Sequence, residues 1–487
     1  MQEFAQATQK SANINQTLKG EAGPVQARQI KNDTTGLREL AGQFRRMCND
    51  YGKHFIVYRK NATKHARHYL TGLLGTQRRK NMGRIGEDVP ESNYEGLQQF
   101  VSNSPWDHAA LMEQLAGEAA GLLGGKPQSA LYIDETSFVK KGAASVGVQR
   151  QYCGRLGKIE NCQVGVFASL GCGERAALVD FRLFLPESWA KDPARCDKAK
   201  VPPEHRTHRT KCELALEMIK QARARKLGHQ WIGGDEVYGN NRELTDALDA
   251  MGEVYLMDVS KDLRIWERKP EERTPKREQR RGRPKNGHEE AKQRSGYQSV
   301  SALAEKHFAK QSRLIGIRQS TRGQLRYRLW AARVWLWDGQ DDQARECWLV
   351  VRQEADGTFK HSLSNASEQT SLEQLGYMQA QRYFIERAFQ DGKSELGMAH
   401  YEVRGWRGWH HHMALCCLAQ LFCLKARRRH RKEHPLLSVR DIVELLGYYL
   451  PRKNRDEAGV LAAMRARHAA RQKDIHRRKM IQSRLPK

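Results

Sequence analysis

The sequence predicts an α/β fold: a mixed sheet flanked by helices, preceded by a helical region and interrupted by a β-rich insertion. Three observations predict it. Two short apolar runs, 128–134 and 229–235, each close on an aspartate, as buried strands do where they leave a sheet. Two extended segments, 161–170 and 175–185, are joined by Gly171-Cys172-Gly173-Glu174, which reads as a hairpin turn. Helical and strand patterns then alternate: a helix over 212–227 closed by Gly228, the run ending at Asp235, a helix over 243–251 and a strand over 253–259.

Residues 1–36 are polar, rich in Gln, Asn, Thr and Gly, and are expected to be flexible. From Leu37 apolar residues recur at helical spacing through Leu40, Phe44 and Met47, and Arg45, Arg46, Arg59, Lys60, Lys64 and Arg67 decorate the segments that follow. The stretch 37–125 reads as a small basic helical domain. It is either a module that binds DNA ends or a helical domain with ordinary surface charge.

Residues 126–260 hold the first part of the core. Asp134 is expected at the tip of the first strand of a three-stranded meander, and Asp235 at the end of a neighbouring strand. Two acids in one cleft repel each other unless a cation lies between them. Oxygen ligands select a hard divalent ion, Mg2+ foremost. Taken singly, each aspartate could instead cap a helix or face water. Glu135 and Glu236 follow directly. Alternation along a strand points each away from its aspartate, so they are second-choice ligands.

Over 261–376 the character changes. A charged, turn-rich stretch contains Arg281 and Arg283 in an Arg-Gly-Arg-Pro core. That core suits the narrow minor groove of A·T-rich DNA, or it is a solvated basic loop. Alternating aromatic runs around Trp330, Trp335, Trp337 and Trp348 read as strands. Their tryptophans could stack on an unpaired base, although such residues more often fill a core.

Residues 377–430 hold the second part of the core. Read as a helix, 381–393 puts Arg382, Glu386 and Lys393 on one face and turns Ile385 and Phe389 towards a core. A carboxylate between two cations suits a metal-bound phosphodiester: Glu386 for the metal, Arg382 and Lys393 for phosphate oxygens. Glu395 lacks cations at those offsets. In the apolar helix over 405–425, His410, His411 and His412 point in different directions and cannot converge on one ion, so packing or a phosphate contact is expected. Residues 431–487 form a basic helical region, a phosphate- or partner-binding helix or a solvated tail.

Lys and Arg total 84 against 56 Asp and Glu, a formal net charge of +28. That excess attracts polyanions with strong salt dependence. It argues against a glycosidase built on paired carboxylates. No apolar run is long enough to span a bilayer, the first residues lack a signal-peptide pattern, and no paired CxxC spacing points to zinc. A reduced, cytoplasmic setting without membrane contact is expected.

Together these segments resemble a bacterial insertion-sequence transposase of the DDE class, in the subgroup with a β-rich insertion between the second Asp and the Glu. The resemblance is carried by residues 134–142, 146–152, 157–163 and 234–239, and near the third acid by 386–393 and 401–406. It implies a ribonuclease-H-like catalytic core, with Asp134, Asp235 and Glu386 as the catalytic, metal-binding triad. It also implies two Mg2+ ions, with Mn2+ able to stand in, double-stranded DNA as partner (the element's ends and a target), and a homodimer on paired ends. In related transposases the glutamate belongs to a Tyr-Arg-Glu-Lys motif. Arg382, Glu386 and Lys393 match by spacing, whereas the tyrosine position holds Gln379. The function expected is cut-and-paste transposition. The alternatives are a transposase-derived DNA-binding protein without activity, which would be expected to have lost one of the acids, and a metal-dependent DNA nuclease without strand transfer.

Overall fold

The computed structural model describes residues 35–270, 296–320, 323–337, 344–453 and 456–482. Arg281 and Arg283 lie outside them, as does nearly all of the segment expected to be flexible. The chain divides into two compact units. One holds His108–Gly392 and Arg404–Trp406; the other holds, among the described residues, 35–107, 393–403 and 407–482.

The first unit is built on a twelve-stranded sheet. Its core strands are β1 (Ser129–Val139), β2 (Gln149–Cys153), β3 (Lys158–Cys172), β4 (Arg175–Leu183), β5 (Trp231–Gly234) and β6 (Tyr255–Val259). The insertion adds β7 (Arg264–Trp266), β8 (Tyr297–Ser299), β9 (Arg313–Ser320), β10 (Gly323–Leu336), β11 (Arg345–Gln353) and β12 (Phe359–Ser364). The helices that matter here are α1 (His108–Leu123), α2 (Lys211–Ala224), α3 (Glu236–Gly239), α4 (Arg242–Ala250), α5 (Val300–Gln311), α6 (Leu372–Gln381) and α7 (Tyr383–Ser394).

In the heart of the sheet the order is β4-β3-β1-β5-β6. β1, β3 and β4 form the expected antiparallel meander, with the hairpin turn between Cys172 and Arg175, and β5 and β6 run parallel to β1. This is the mixed, ribonuclease-H-like sheet that the sequence predicts. β1 is hidden on both faces, so Ala130, Leu131, Tyr132 and Ile133 are all buried and read as a continuous apolar run. α2 starts on a capping box, Thr210 with Glu213, and ends at Ala224, earlier than Gly228 suggested, with Lys226 at φ +53° in the left-handed position just after it.

The insertion extends this same sheet. β12 lies antiparallel on β6, with Leu363 opposite Met257, and β11 and β10 follow outward. α5 covers it, closing a core of Val300, Leu303, Phe308, Trp330, Val334 and Leu349. Several of the insertion's tryptophans make internal contacts: Trp330 and Trp348 donate their indole N–H groups to Gln311 and to the Ser367 carbonyl, and Trp337 packs 5.5 Å from Trp266.

The second unit is helical. Helix Leu40–Asp50 meets the long helix Trp406–Arg429, where Phe44 and Phe422 pack edge to face at 5.8 Å. The Tyr69 hydroxyl lies 2.8 Å from His412 Nδ1. His411 sits with its two ring nitrogens 2.9 Å from the carbonyl oxygens of Val101 and Trp106, so His411 and His412 are both engaged in internal contacts. Amino- and carboxyl-terminal segments thus share one core, while α1, at the end of the stretch 37–125, belongs to the sheet unit. All ten cysteines are free thiols. Among the described residues no helix is long and apolar enough to cross a membrane.

Candidate functional site

The sheet register brings three aspartates to one level. Parallel pairing of Ala130 with Trp231 and Tyr132 with Gly233, carried two residues on, sets Asp134 opposite Asp235. Pairing of Gly234 with Met257, carried one residue on, sets Asp258 beside Asp235 on the other side. The row therefore runs Asp134, Asp235, Asp258 across β1, β5 and β6.

Asp134 is not at a strand tip, as the sequence suggested. β1 continues to Val139, held by β3, and Asp134 faces Phe167 in that ladder. The opening at its level comes from the other neighbour. β5 stops at Gly234, and Asp235 turns the chain into α3, its Oδ1 accepting from Val237 N at 3.0 Å. α3 then lies tight on β6, because Gly239 has no side chain; a Cβ there would collide with the Asp258 carbonyl.

Glu135 was expected to point away from Asp134. Instead, carboxylate oxygens of Asp134, Glu135 and Asp235 all lie within 4.8 Å of one another. The backbone still alternates along β1, but β5 has ended at this level, and the longer Glu135 side chain curls round the opening. Glu135 is drawn in by Lys211 Nζ at 2.6 Å and by the Tyr238 hydroxyl at 2.9 Å. Glu236 is exposed in the first turn of α3.

The expected helix over 381–393 is broken at Arg382, which stands between α6 and α7. Its guanidinium reaches three carboxylates: Nη1 to Asp134 Oδ2 at 3.4 Å, Nε to Asp258 Oδ2 at 3.3 Å and Nη2 to Glu386 Oε1 at 3.0 Å. Glu386 is brought to the acids in this way, its side chain half exposed at 49%. Phe389, one turn beyond, anchors α7 against Phe167 of β3 at 5.3 Å. Lys393 follows on the same helix, at the boundary between the two units.

The electrostatics follow from burial and crowding. Burial lifts the Asp134 carboxyl well above the usual range; Arg382 pulls it back, and Asp235, Glu135 and Glu386 add to the rise. Burial likewise pushes Asp235 up to about 6, helped by Glu135 and opposed by Arg382 and the Val237 N–H. Burial works against charge on Arg382, but Asp258, Asp134 and Glu386 outweigh it and hold the guanidinium protonated above its already high range. A cluster of hard oxygen donors whose like charges raise one another fits a divalent cation.

Asp134 and Asp235 therefore converge with Glu135, whereas Glu386 stands outside that group and is joined to Asp134 through Arg382, which Asp258 shares. Asp258 carried the same signature, an acid closing an apolar run. Arg281 and Arg283 lie outside the described residues.

The family model described as DDE superfamily endonuclease matches residues 43–324, a span that includes Asp134, Asp235 and Asp258 and ends before Arg382 and Glu386. A probable transposase for insertion sequence element IS701 from Microchaete diplosiphon is 30% identical over 190 residues, 39% of this chain and 46% of that protein. The match thus spans about half the length of that relative.

Proposed function

Because the chain belongs to the DDE superfamily of endonucleases, we propose that it is an insertion-sequence transposase, cutting DNA at the ends of its own element and joining them to a target. The observation that carries the proposal is the level pairing of Asp134 with Asp235, with Glu386 tied to the same place through Arg382. Family membership brings dependence on divalent metal; Mg2+, with Mn2+ in its stead, suits the all-oxygen donors.

Asp134, Asp235 and Glu386 are the residues assigned to hold two such ions, with Glu135 beside them. Bound there, the ions would supply activation of the attacking oxygen and neutralisation of the leaving one. The protein's own groups do the rest. Arg382 and Lys393 position phosphate oxygens. The buried floor of β1 and β5 keeps the carboxylates in place, and α3 holds Asp235 at the end of β5. The net charge of +28 supports DNA as the partner, with the basic helical unit and the Arg281–Arg283 segment as its further contacts. Two copies on paired ends are the expected assembly.

The test is an oligonucleotide carrying the element's end, incubated with Mg2+ and a supercoiled target. Strand cleavage and joined product are expected from the wild type. Asp134→Ala, Asp235→Ala and Glu386→Ala should bind the end and cut nothing. Full cleavage by Asp134→Ala would remove the assignment, and cleavage without joining would make the protein a nuclease.

A further inference from the structure

Of the three acids that share the Arg382 guanidinium, two are assigned to metal and the third is not. We propose that Asp258 is the pivot of Arg382: it keeps the guanidinium by Nε, while Nη1 and Nη2 exchange the carboxylates of Asp134 and Glu386 for a DNA phosphate once those acids turn to metal. This rests on the metal-dependent reading above.

The contacts divide in the way a pivot requires. Asp258 takes Nε, the root of the fork; Asp134 and Glu386 take the two tips. A guanidinium is planar and its donors are fixed in that plane, so the group that holds Nε sets where both tips can reach. Asp258 is itself held. Its Oδ1 accepts from Ser362 Oγ at 2.6 Å, across the register pair formed by β6 and β12. Ser362 is fully buried and accepts in turn from Gln379 Nε2 at 2.8 Å. A buried line of hydrogen bonds thus runs from α6 through β12 and β6 to Arg382. Gln379 is the residue that stands in place of the motif tyrosine, and it faces the sheet.

One further observation separates Asp258 from the acids assigned to metal. Both its oxygens are held by side chains, Oδ1 by Ser362 and Oδ2 by Arg382, whereas Asp134 has a side chain on Oδ2 and its Oδ1 accepts from the adjacent Glu135 N at 2.7 Å. Arg382 is then the internal cation of the metal-free cluster, and Asp258 keeps it at hand when its other two partners leave.

The experiment is a double-mutant cycle read by Mn2+ titration calorimetry on the full-length, DNA-free protein, with end cleavage measured in parallel. Arg382→Gln removes the competing cation, so Mn2+ should bind about threefold tighter or more while cleavage falls. Asp258→Asn leaves Arg382 to the metal-binding acids alone, so Mn2+ should bind about tenfold more weakly. With Arg382→Gln already present, adding Asp258→Asn should change Mn2+ affinity less than about twofold, because Asp258 acts through Arg382. Ser362→Ala should shift affinity as Asp258→Asn does, to a smaller degree, and serves if Asp258→Asn does not fold. Equal weakening by Asp258→Asn with and without Arg382 would overturn the pivot, as would wild-type Mn2+ affinity in both Asp258→Asn and Ser362→Ala. Cleavage that survives Asp134→Ala would instead mean that the metal-dependent reading has failed.

Discussion

The Tyr238 hydroxyl donates to Glu135 Oε2 at 2.9 Å. Tyr238 is wholly buried and sits on α3, so the turn that Asp235 begins is also what steers Glu135 towards the aspartates. If Glu135 belongs to the donor set, Tyr238→Phe should keep the ring packing and lose the steering. The expected result is Mn2+ affinity about tenfold weaker, with a melting temperature little changed. Calorimetry and a thermal melt measure the two. Wild-type affinity in Tyr238→Phe would place Glu135 outside the donor set.

A second expectation concerns pH. Burial pushes the Asp235 carboxyl up to about 6, from an unfolded value near 3.8, and lifts Asp134 in the same direction. A carboxyl raised by folding holds protons that the unfolded chain has released. Its contribution to stability is whole below the unfolded value and is lost as pH rises through the folded one. The metal-free protein should therefore lose stability between pH 4 and about 6 through this group. Divalent metal should restore more stability at pH 7.5 than at pH 5, since only ionised carboxylates bind it. Melting curves with and without Mn2+ at each pH test this. Asp235→Asn should flatten the metal-free profile, and an unchanged slope in that variant would refute the assignment of the shift.

A third expectation concerns Gly239. A Cβ at this position would run into the Asp258 carbonyl and press on Met257 Cβ. Gly239→Ala should lift α3 from β6 and cost about 1–3 kcal/mol, the usual range for overpacking. Because α3 carries Tyr238 and follows Asp235, cleavage should fall further than stability alone explains. Urea denaturation beside single-turnover cleavage separates the two effects. Normal cleavage in a destabilised protein would show that α3 does not set the site.

The strands and two of the acids were legible because a strand buried on both faces prints as an unbroken apolar run, and Asp134 and Asp235 each close one. Asp258 closes a third such run, but one residue of strand follows it, and the neighbouring Arg382 that gives it meaning lies far along the chain. Glu135 was misjudged because alternation fixes where a side chain starts, not where its end reaches; β5 ends at Gly234, and Lys211 and Tyr238 draw the carboxylate round towards the aspartates. The break at Arg382 has no glycine or proline to announce it. It coincides with three carboxylates, two of them supplied by other strands, and tertiary contacts of that kind leave no local mark.

The helical unit makes the same point about domain limits and supports a final prediction. Helical periodicity and basic charge read the stretch 37–125 as a domain of its own. In the structure Phe44 packs on Phe422, Tyr69 lies against His412, and Val101 and Trp106 present their carbonyls to His411. All three partners come from the helix Trp406–Arg429. Without that helix the amino-terminal segment would expose the ring of Phe44 and leave buried polar groups without their partners, a loss that a short helical piece cannot absorb. A fragment of residues 37–125 should therefore give no cooperative thermal transition, whereas the full chain should. In the full chain Phe422→Ala should cost about 3–5 kcal/mol, as for other large buried aromatics. Circular dichroism melts of the fragment and denaturant titration of the variant measure both. A sharp transition in the isolated fragment would mean that these helices carry a sufficient core of their own.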